Sequence, residues 1–322
     1  MDWTNKNVFV TGADGFIGGW IAKTLVEKKA HVVCIVRDIK KKNALDLHKI
    51  KDKVTLVQGD IIDLELIQRI LNEYEIEYVF HLAAQALVQI ANNSPLSTFE
   101  SNIKGTWTIL EAARNHKAIK GVVVASSDKA YGDQEKLPYT EDQPLNGLYP
   151  YDASKVCTDV LSRCYAKSYS LPVAITRNAN TYGGADMNMS RLVPDAIVSS
   201  LKGKELIIRS DGTPERDFMY IKDAVDAYLV LVAALDRDEI KGQAFNFGTQ
   251  EPISVLDLFK LIAKLTDNST PPKVTGKATN EIDRQYLCID KVKKLLKWEP
   301  KHSLEQGLKE TIAWYKEHLD LF

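Results

Sequence analysis

Ser127, Tyr151 and Lys155 carry the chemistry this chain is equipped to do. Ser126-Ser127-Asp128-Lys129-Ala130-Tyr131-Gly132 follows the apolar run Val122-Val123-Val124-Ala125, and Tyr151-Asp152-Ala153-Ser154-Lys155 opens an amphipathic segment further on. Residues four apart on a helix share a face, so the phenol and the ammonium can point into one cleft. A free tyrosine, with a pKa of ~10, is a poor base at neutral pH, but a neighbouring positive charge favours its phenolate. A serine hydroxyl, a tyrosine phenol and a lysine ammonium together would take the proton of an alcohol while a nicotinamide takes the hydride. Tyr and Lys at this spacing also occur as plain surface pairs on helices. The weight therefore rests on what surrounds them.

A nucleotide-binding fingerprint stands at the N-terminus. Asn7-Val8-Phe9-Val10-Thr11 reads as a short buried strand, followed at once by Gly12-Ala13-Asp14-Gly15-Phe16-Ile17-Gly18-Gly19. An amphipathic helix is predicted from about Phe16 to Lys28, with Ile17, Ile21, Leu25 and Val26 inward. Glycines at 12, 15 and 18 let the turn close, admit a pyrophosphate to the backbone amides and allow tight helix–strand packing. The amides of Phe16 and Ile17 fall where unpaired N–H groups and the helix dipole favour an anion. A glycine-rich loop alone need be no more than a tight turn; the strand before and the helix after make the difference.

The second strand, Val32–Val36, ends at Arg37-Asp38. An acid there would bind the ribose 2′-hydroxyl of NAD, and an arginine would accommodate the 2′-phosphate of NADP. With Arg37 at the strand end and Asp38 behind it, the cofactor is expected to be NAD(P), tipped toward NADP.

Alternating periods supply the scaffold. Strand-like runs near 7–11, 30–36, 54–58, 78–82, 121–126 and 172–177 alternate with helical runs near 16–28, 64–73, 102–115 and 151–168. Such alternation predicts an α/β fold, a Rossmann-type doubly wound parallel sheet with helices on both faces. After Arg177 the rhythm breaks into loops, and Ser254 with Asp257 and Ser303 with Gln306 are capping-box-like helix starts. The expected organisation is a nucleotide-binding domain over 1–177 and a smaller C-terminal α/β substrate-binding domain over 178–322. A stretch near 215–250, with the strand Ala244–Phe247, returns to the main sheet.

Bulk properties narrow the partners. The 42 Lys and Arg nearly balance 43 Asp and Glu, which points away from nucleic acid and anionic membranes. No apolar run reaches the ~18–20 residues that span a bilayer. The start, Met1–Lys6, lacks a signal-peptide pattern. Cys34, Cys157, Cys164 and Cys288 have no paired metal spacing, and Cys34 and Cys157 read as buried thiols. A cytoplasmic protein without a metal is expected.

The T-G-x-x-G-x-x-G turn and the Y-x-x-x-K pair together resemble the extended short-chain dehydrogenase/reductase superfamily, in its nucleotide-sugar epimerase/dehydratase branch. The resemblance runs the whole chain, through Gly59-Asp60, His81-Leu82-Ala83-Ala84-Gln85, Asn102-Ile103-Lys104-Gly105-Thr106, Arg177-Asn178-Ala179-Asn180-Thr181-Tyr182-Gly183 and Arg216-Asp217-Phe218-Met219-Tyr220. It implies that Asp60 and Ile61 meet the adenine, that Leu82, Ala83 and Ala84 lie under the nicotinamide ribose, and that Asn102 is the family's structural Asn beside the cofactor. Gln85, Asn180, Arg191, Arg216 and Arg284 would face a nucleotide sugar, the arginines pairing with its diphosphate as planar bidentate donors. Each of those arginines taken alone also suits a surface salt bridge. Family members pair through helices corresponding to about 102–115 and 151–168, so a homodimer is expected.

Asp128-Lys129 bears on the reaction type. In 4-epimerases of this family the two residues after the catalytic Ser are small or neutral. A 4,6-dehydratase must also abstract the C5 proton and protonate the departing C6 hydroxyl, which needs a second acid–base pair. Ser127-Asp128-Lys129 most resembles the T-D-K of CDP-glucose 4,6-dehydratases. Arg216–Tyr220 has the common epimerase/dehydratase form instead, and Arg37 resembles the GDP-mannose dehydratases. On this reading Asp128 is the acid that protonates the C6 leaving group and Lys129 the base that removes the C5 proton. A 4-epimerase and a non-catalytic nucleotide-binding regulator are the alternatives.

Overall fold

The computed structural model describes residues 1–38, 42–268, 270–276 and 282–322. Seven parallel strands form the main sheet: β1 (Asn7–Thr11), β2 (His31–Val36), β3 (Thr55–Gln58), β4 (Tyr78–His81), β5 (Gly121–Ala125), β6 (Val173–Asn178) and the returning strand Ala244–Phe247. Their spatial order is Ala244–Phe247, β6, β5, β4, β1, β2, β3. The order reverses at β1, which pairs with β2 on one side and β4 on the other. Open parallel sheets bind ligands at such a reversal, outside the carboxyl ends of the strands.

Alternation along the central strands feeds two separate cores. On β1, Val8 and Val10 join the core under the helices Phe16–Glu27 and Ile221–Ala233, while Phe9 joins the other. On β5, Val123 faces the first and Val122 and Val124 the second, where Ile67, Ile70 and Leu71 pack with Ile109 and Leu110. Because both faces are covered, these strands read as continuous apolar runs.

Three local features place the site. Gly12 sits at φ +73, and a Cβ there would lie 2.8 Å from the Ala83 nitrogen; a Cβ at Gly18 would overlap the Gly12 carbonyl. The glycines therefore bring the helix Phe16–Glu27, the end of β1 and the end of β4 into contact. The helix Pro150–Tyr169 starts with proline in its first turn, where no N–H is missed, and ends at Ser170 in the left-handed region, φ 56. The returning strand Ala244–Phe247 pairs with β6 from Ile175 to Asn178.

The part outside the sheet is built on short strands. Glu215–Arg216 pairs with Arg284–Gln285 in parallel and with Ile253–Ser254 in antiparallel fashion. Ser303 and Gln306 form a reciprocal capping box at the head of the last long helix, whereas at Ser254 only the side chain to backbone half is made, from the Asp257 N–H. Cys34 is buried as expected, but Cys157 is half-buried, because it lies at the margin of its helix's inner face. No described helix is long and apolar enough to cross a membrane.

Candidate active site

The crevice at the reversal has the chemistry of a dinucleotide cradle. Gly15 heads its helix without a side-chain cap, and the first turn carries no acid, so its N–H groups are open to an anion. Thr11 closes the floor: its hydroxyl oxygen accepts from the N–H groups of both Leu82 and Ala83 at 3.1 Å. Its own proton goes to His81 Nδ1, 2.9 Å away, and Nε2 meets Thr106 at 3.2 Å. Burial and the Lys155 charge push the His81 imidazole down to about 3, so it is a neutral positioning group.

Asp60 accepts from the Ile62 N–H, and Ile61 is buried where a side chain on Gly105 would strike it. Arg37 and Asp38 are both exposed at the end of β2, and the Arg37 guanidinium donates to Asp38 at 3.0 Å. Asn102 is fully engaged: its amide oxygen accepts from the Gln85 N–H at 2.7 Å, and its amide nitrogen donates to the Gln85 carbonyl and to Ser154. It thus ties the loop after β4 to the helix that carries Tyr151. The Gln85 side chain accepts from Leu87 N–H within the same loop.

Two bonds hold that helix to the end of β5. Ser126 donates to the Lys155 carbonyl at 3.2 Å, and Lys155 Nζ donates to the Ala125 carbonyl at 2.8 Å. The ammonium stands 5.8 Å from the Tyr151 ring centre, so the two side chains share one face. Burial pushes Lys155 down to about 8. Burial pushes the Tyr151 phenol up to about 12, opposed by the Arg191 charge and by hydrogen bonding with Ser127. Arg191 is the leading positive charge that opposes the rise, and the Lys155 ammonium shares the phenol's face.

Beside the phenol lies a compact polar cluster. Ser127 donates to Asp128 Oδ1 at 3.0 Å and accepts from the Lys129 N–H, capping the short turn Asp128–Tyr131. Asp128 is 3% exposed, and Lys129 Nζ lies 3.9 Å from its Oδ2. Lys129 also donates to the side-chain oxygen of Gln285, whose nitrogen donates back to the Asp128 carbonyl. Sequence reasoning had not marked Gln285. It arrives because Tyr139 N–H bonds the Tyr286 carbonyl and Cys288 N–H bonds the Tyr139 carbonyl, drawing Arg284–Gln285 against the turn.

The three substrate-side arginines are placed differently. Arg191 pairs with buried Asp186 at 3.1 Å and lies 5.9 Å from the Phe16 ring, at the edge of the cofactor turn. Arg216 and Arg284 stand on adjacent strands; Arg216 donates to the Glu215 carbonyl and Arg284 to the Glu215 carboxylate at 2.6 Å. Asn180 donates to the Asp217 carbonyl. Arg177, after which the strand rhythm breaks into loops, faces inward. Its guanidinium grips Asp159 at 2.8 and 3.0 Å and donates to Tyr131. It braces the helix Pro150–Tyr169 against β6 and the turn after β5.

A family model described as GDP-mannose 4,6 dehydratase matches residues 9–311. Among curated relatives, a trifunctional UDP-glucose 4,6-dehydratase/3,5-epimerase/reductase of Arabidopsis thaliana is 31% identical over 97% of this chain, which spans 48% of that protein. The chain thus spans about half the length of the multifunctional plant relatives it matches. The CDP-glucose 4,6-dehydratase of Salmonella typhimurium is 29% identical over 98% of this chain and 91% of its own. A UDP-N-acetyl-alpha-D-glucosaminuronate decarboxylase of Bacillus cytotoxicus is 32% identical, covering 97% and 98%. Among solved structures, the UDP-glucose 4-epimerase of Thermotoga maritima with UDP-glucose superposes with a TM-score of 0.89 at 30% identity, covering 97% of this chain and 99% of its own. The dTDP-glucose 4,6-dehydratase of Bacillus anthracis, solved with NAD, gives 0.87 at 27% identity and covers 98% of each chain. That neighbour carries NAD, and the preference for NADP expected from Arg37 finds no support there. With the cradle, the Ser127–Tyr151–Lys155 set and a match of this length in agreement, the chain belongs to the GDP-mannose 4,6-dehydratase family of the extended short-chain dehydrogenase/reductase superfamily.

Proposed function

We propose that this enzyme is a nucleotide-hexose 4,6-dehydratase that converts an NDP-hexose of the CDP-glucose or GDP-mannose type to the NDP-4-keto-6-deoxyhexose. The observation that carries the reading is the Asp128–Lys129 pair, enclosed beside Ser127 and held by Gln285. A simple inversion at C4 has no use for a second proton-transfer pair.

NAD(P), bound over Gly12, Gly15 and Gly18 with Leu82–Ala84 under its ribose, would supply the hydride acceptor and donor. Arg37 and Asp38 meet its adenosine ribose, and Arg37→Ala should weaken NADP more than NAD if the arginine selects the cofactor. Tyr151 takes the C4 hydroxyl proton, with Ser127 sharing that hydrogen bond, while Lys155 holds the ribose. Asp128 protonates the leaving C6 oxygen and Lys129 removes the C5 proton. The ion pair of Asp128 and Lys129 holds the same number of protons as a carboxylic acid beside an amine, so one internal proton shift prepares both roles. Gln85 and Asn180 face the sugar, and Arg191, Arg216 and Arg284 face the diphosphate.

We place the enzyme in the cytoplasm, a setting its four free thiols suit. A homodimer is supported by apolar side chains left open on the expected pairing helices: Trp107 is 43% exposed and Val160 53%. A monomer by light scattering would contradict that part alone.

A 4-epimerase is the second reading, favoured by the likeness to the Thermotoga maritima enzyme. Incubation with CDP-glucose, GDP-mannose, dTDP-glucose and UDP-glucose separates the two. A 4-keto-6-deoxy product is the expected result. Inversion at C4 without a keto product would select the epimerase, and no turnover of any nucleotide hexose would leave a nucleotide-binding regulator.

A further inference from the structure

Six polar side chains run in a line beneath the crevice with almost no access to water. Thr11, His81, Thr106, Asn102, Ser154 and Thr158 are each 3% exposed or less. Thr11 and His81 end β1 and β4, Thr106 lies at the head of the helix Gly105–Asn115, and Ser154 and Thr158 lie on the helix Pro150–Tyr169. Buried polar atoms are paired, and here the pairing also fixes where each proton sits.

Thr11 decides the direction. Its hydroxyl oxygen already accepts the N–H groups of Leu82 and Ala83, so both lone pairs are used and its one proton must leave. That proton goes to His81 Nδ1, at 2.9 Å. A bare Nδ1 on a neutral ring puts the ring proton on Nε2, which donates to Thr106 Oγ1 at 3.2 Å. Thr106 donates on to the Asn102 carbonyl at 2.5 Å, where Thr158 adds a second donor at 3.3 Å. The Asn102 amide nitrogen donates to Ser154 Oγ at 2.9 Å, and Ser154 donates to the Tyr151 carbonyl at 2.6 Å. From Ala83 to Tyr151 every donor points the same way. Hydroxyls that bond back into their own helix are ordinary. Thr106 and Ser154 differ because each oxygen also accepts from another element. Bonds aligned head to tail in a dry interior reinforce one another.

We propose, on the reading of Tyr151 as the base for the C4 hydroxyl, that His81 is a positioning residue: as the Nε2–H tautomer it sets the helix carrying Tyr151 against the floor of the dinucleotide crevice. The other tautomer would give the Thr11 oxygen a third donor and leave the Thr106 oxygen without the ring's. The role belongs to oxidation at C4, a step that a dehydratase and a 4-epimerase share. There Tyr151 takes the hydroxyl proton, the O–H electron pair becomes the second bond of the carbonyl, and the C4 hydride goes to the dinucleotide. The phenol must stand in register with the crevice floor, and a misplacement of about 1 Å can cost ~10²-fold.

Two variants separate the halves of the ring. His81→Gln keeps an amide N–H where Nε2 stands, whereas His81→Asn keeps an acceptor for Thr11 and cannot reach Thr106. The full chain loaded with NAD is mixed in single turnovers with CDP-glucose, GDP-mannose, dTDP-glucose or UDP-glucose, and cofactor reduction is followed with whichever reacts. His81→Asn should slow reduction on the order of 10- to 100-fold, with dinucleotide affinity by calorimetry close to wild type. His81→Gln should recover most of the rate. Independently of activity, heteronuclear NMR of histidine-labelled wild type should show Nε2 protonated and Nδ1 bare throughout about pH 5–8. A proton on Nδ1, equal rates in the two variants at matched folded fraction, or a defect confined to dinucleotide affinity would overturn the role. Should the His81 variants fail to fold, Thr106→Val and Thr106→Ser decide, since Val cuts the line and Ser keeps it; equal rates there are equally contrary. If the wild type reduces no cofactor, or Tyr151→Phe reduces it as fast, the reading of Tyr151 falls and this role with it. If Tyr151→Phe is slow while the His81 variants match wild type, only the role of His81 falls.

Discussion

Lys129 and Gln285 stand 156 residues apart in the chain, yet the lysine ammonium donates to the glutamine side-chain oxygen beside Asp128. Gln285 is wholly buried, and its nitrogen returns a bond to the Asp128 carbonyl, so one amide fixes both members of the pair. A long, flexible lysine left to itself loses rotamer freedom only at a cost. The amide supplies that ordering in advance.

Gln285→Ala is accordingly expected to release Lys129 and to slow elimination on the order of 10-fold or more, as loss of orientation does. Cofactor affinity should hold, because the Gly12 turn lies elsewhere. Single-turnover rates of product formation and calorimetric titration of the dinucleotide check the two halves of the claim.

Tyr151→Phe removes only the phenolic proton acceptor. Turnover should fall by ~10²–10⁴-fold, the usual share of a general base. The melting temperature and cofactor affinity should stay close to wild type, since the Tyr151 hydroxyl is not among the bonds that tie its helix to β5. Near-normal turnover would mean that another group takes the C4 hydroxyl proton.

Asp152 should show itself in stability. Its carboxyl holds a proton up to about pH 6 in the folded chain, against an ordinary value of 3.8. A raised carboxyl pKa means that stability present below the ordinary value is lost as pH rises through the folded one. Asp152→Asn should therefore melt higher than wild type at pH 8, with the advantage gone near pH 4. Parallel melting curves across that range are the check; an advantage that persists in acid would assign the change to packing instead of charge.

The scaffold and the grouping of the candidate side chains were legible in the sequence because both are local. Strand and helix periods located the sheet, and the Gly12–Gly18 turn and Tyr151–Lys155 spacing are read within one turn or one helix face. The groups that orient the chemistry were not legible. Gln285 sits in a two-residue strand without periodicity and meets Lys129 only through the Tyr139 bridge. Arg177 stands where the strand rhythm breaks into loops, yet its partner is Asp159, buried inside a helix whose pattern gives no sign of a charge pair. Asp152 follows Tyr151 directly, and its burial depends on how the Gly147 loop folds back. Such pairings are set by tertiary closure, which no local pattern encodes.

The central claim concerns the fate of one hydrogen. A nucleotide hexose carrying deuterium at C4, given to the wild-type enzyme and followed by NMR, should yield a 4-keto-6-deoxy product with deuterium on C6 and a solvent proton at C5. Deuterium back at C4 in inverted configuration, with no keto sugar formed, would contradict the account and make Asp128 and Lys129 a structural pair.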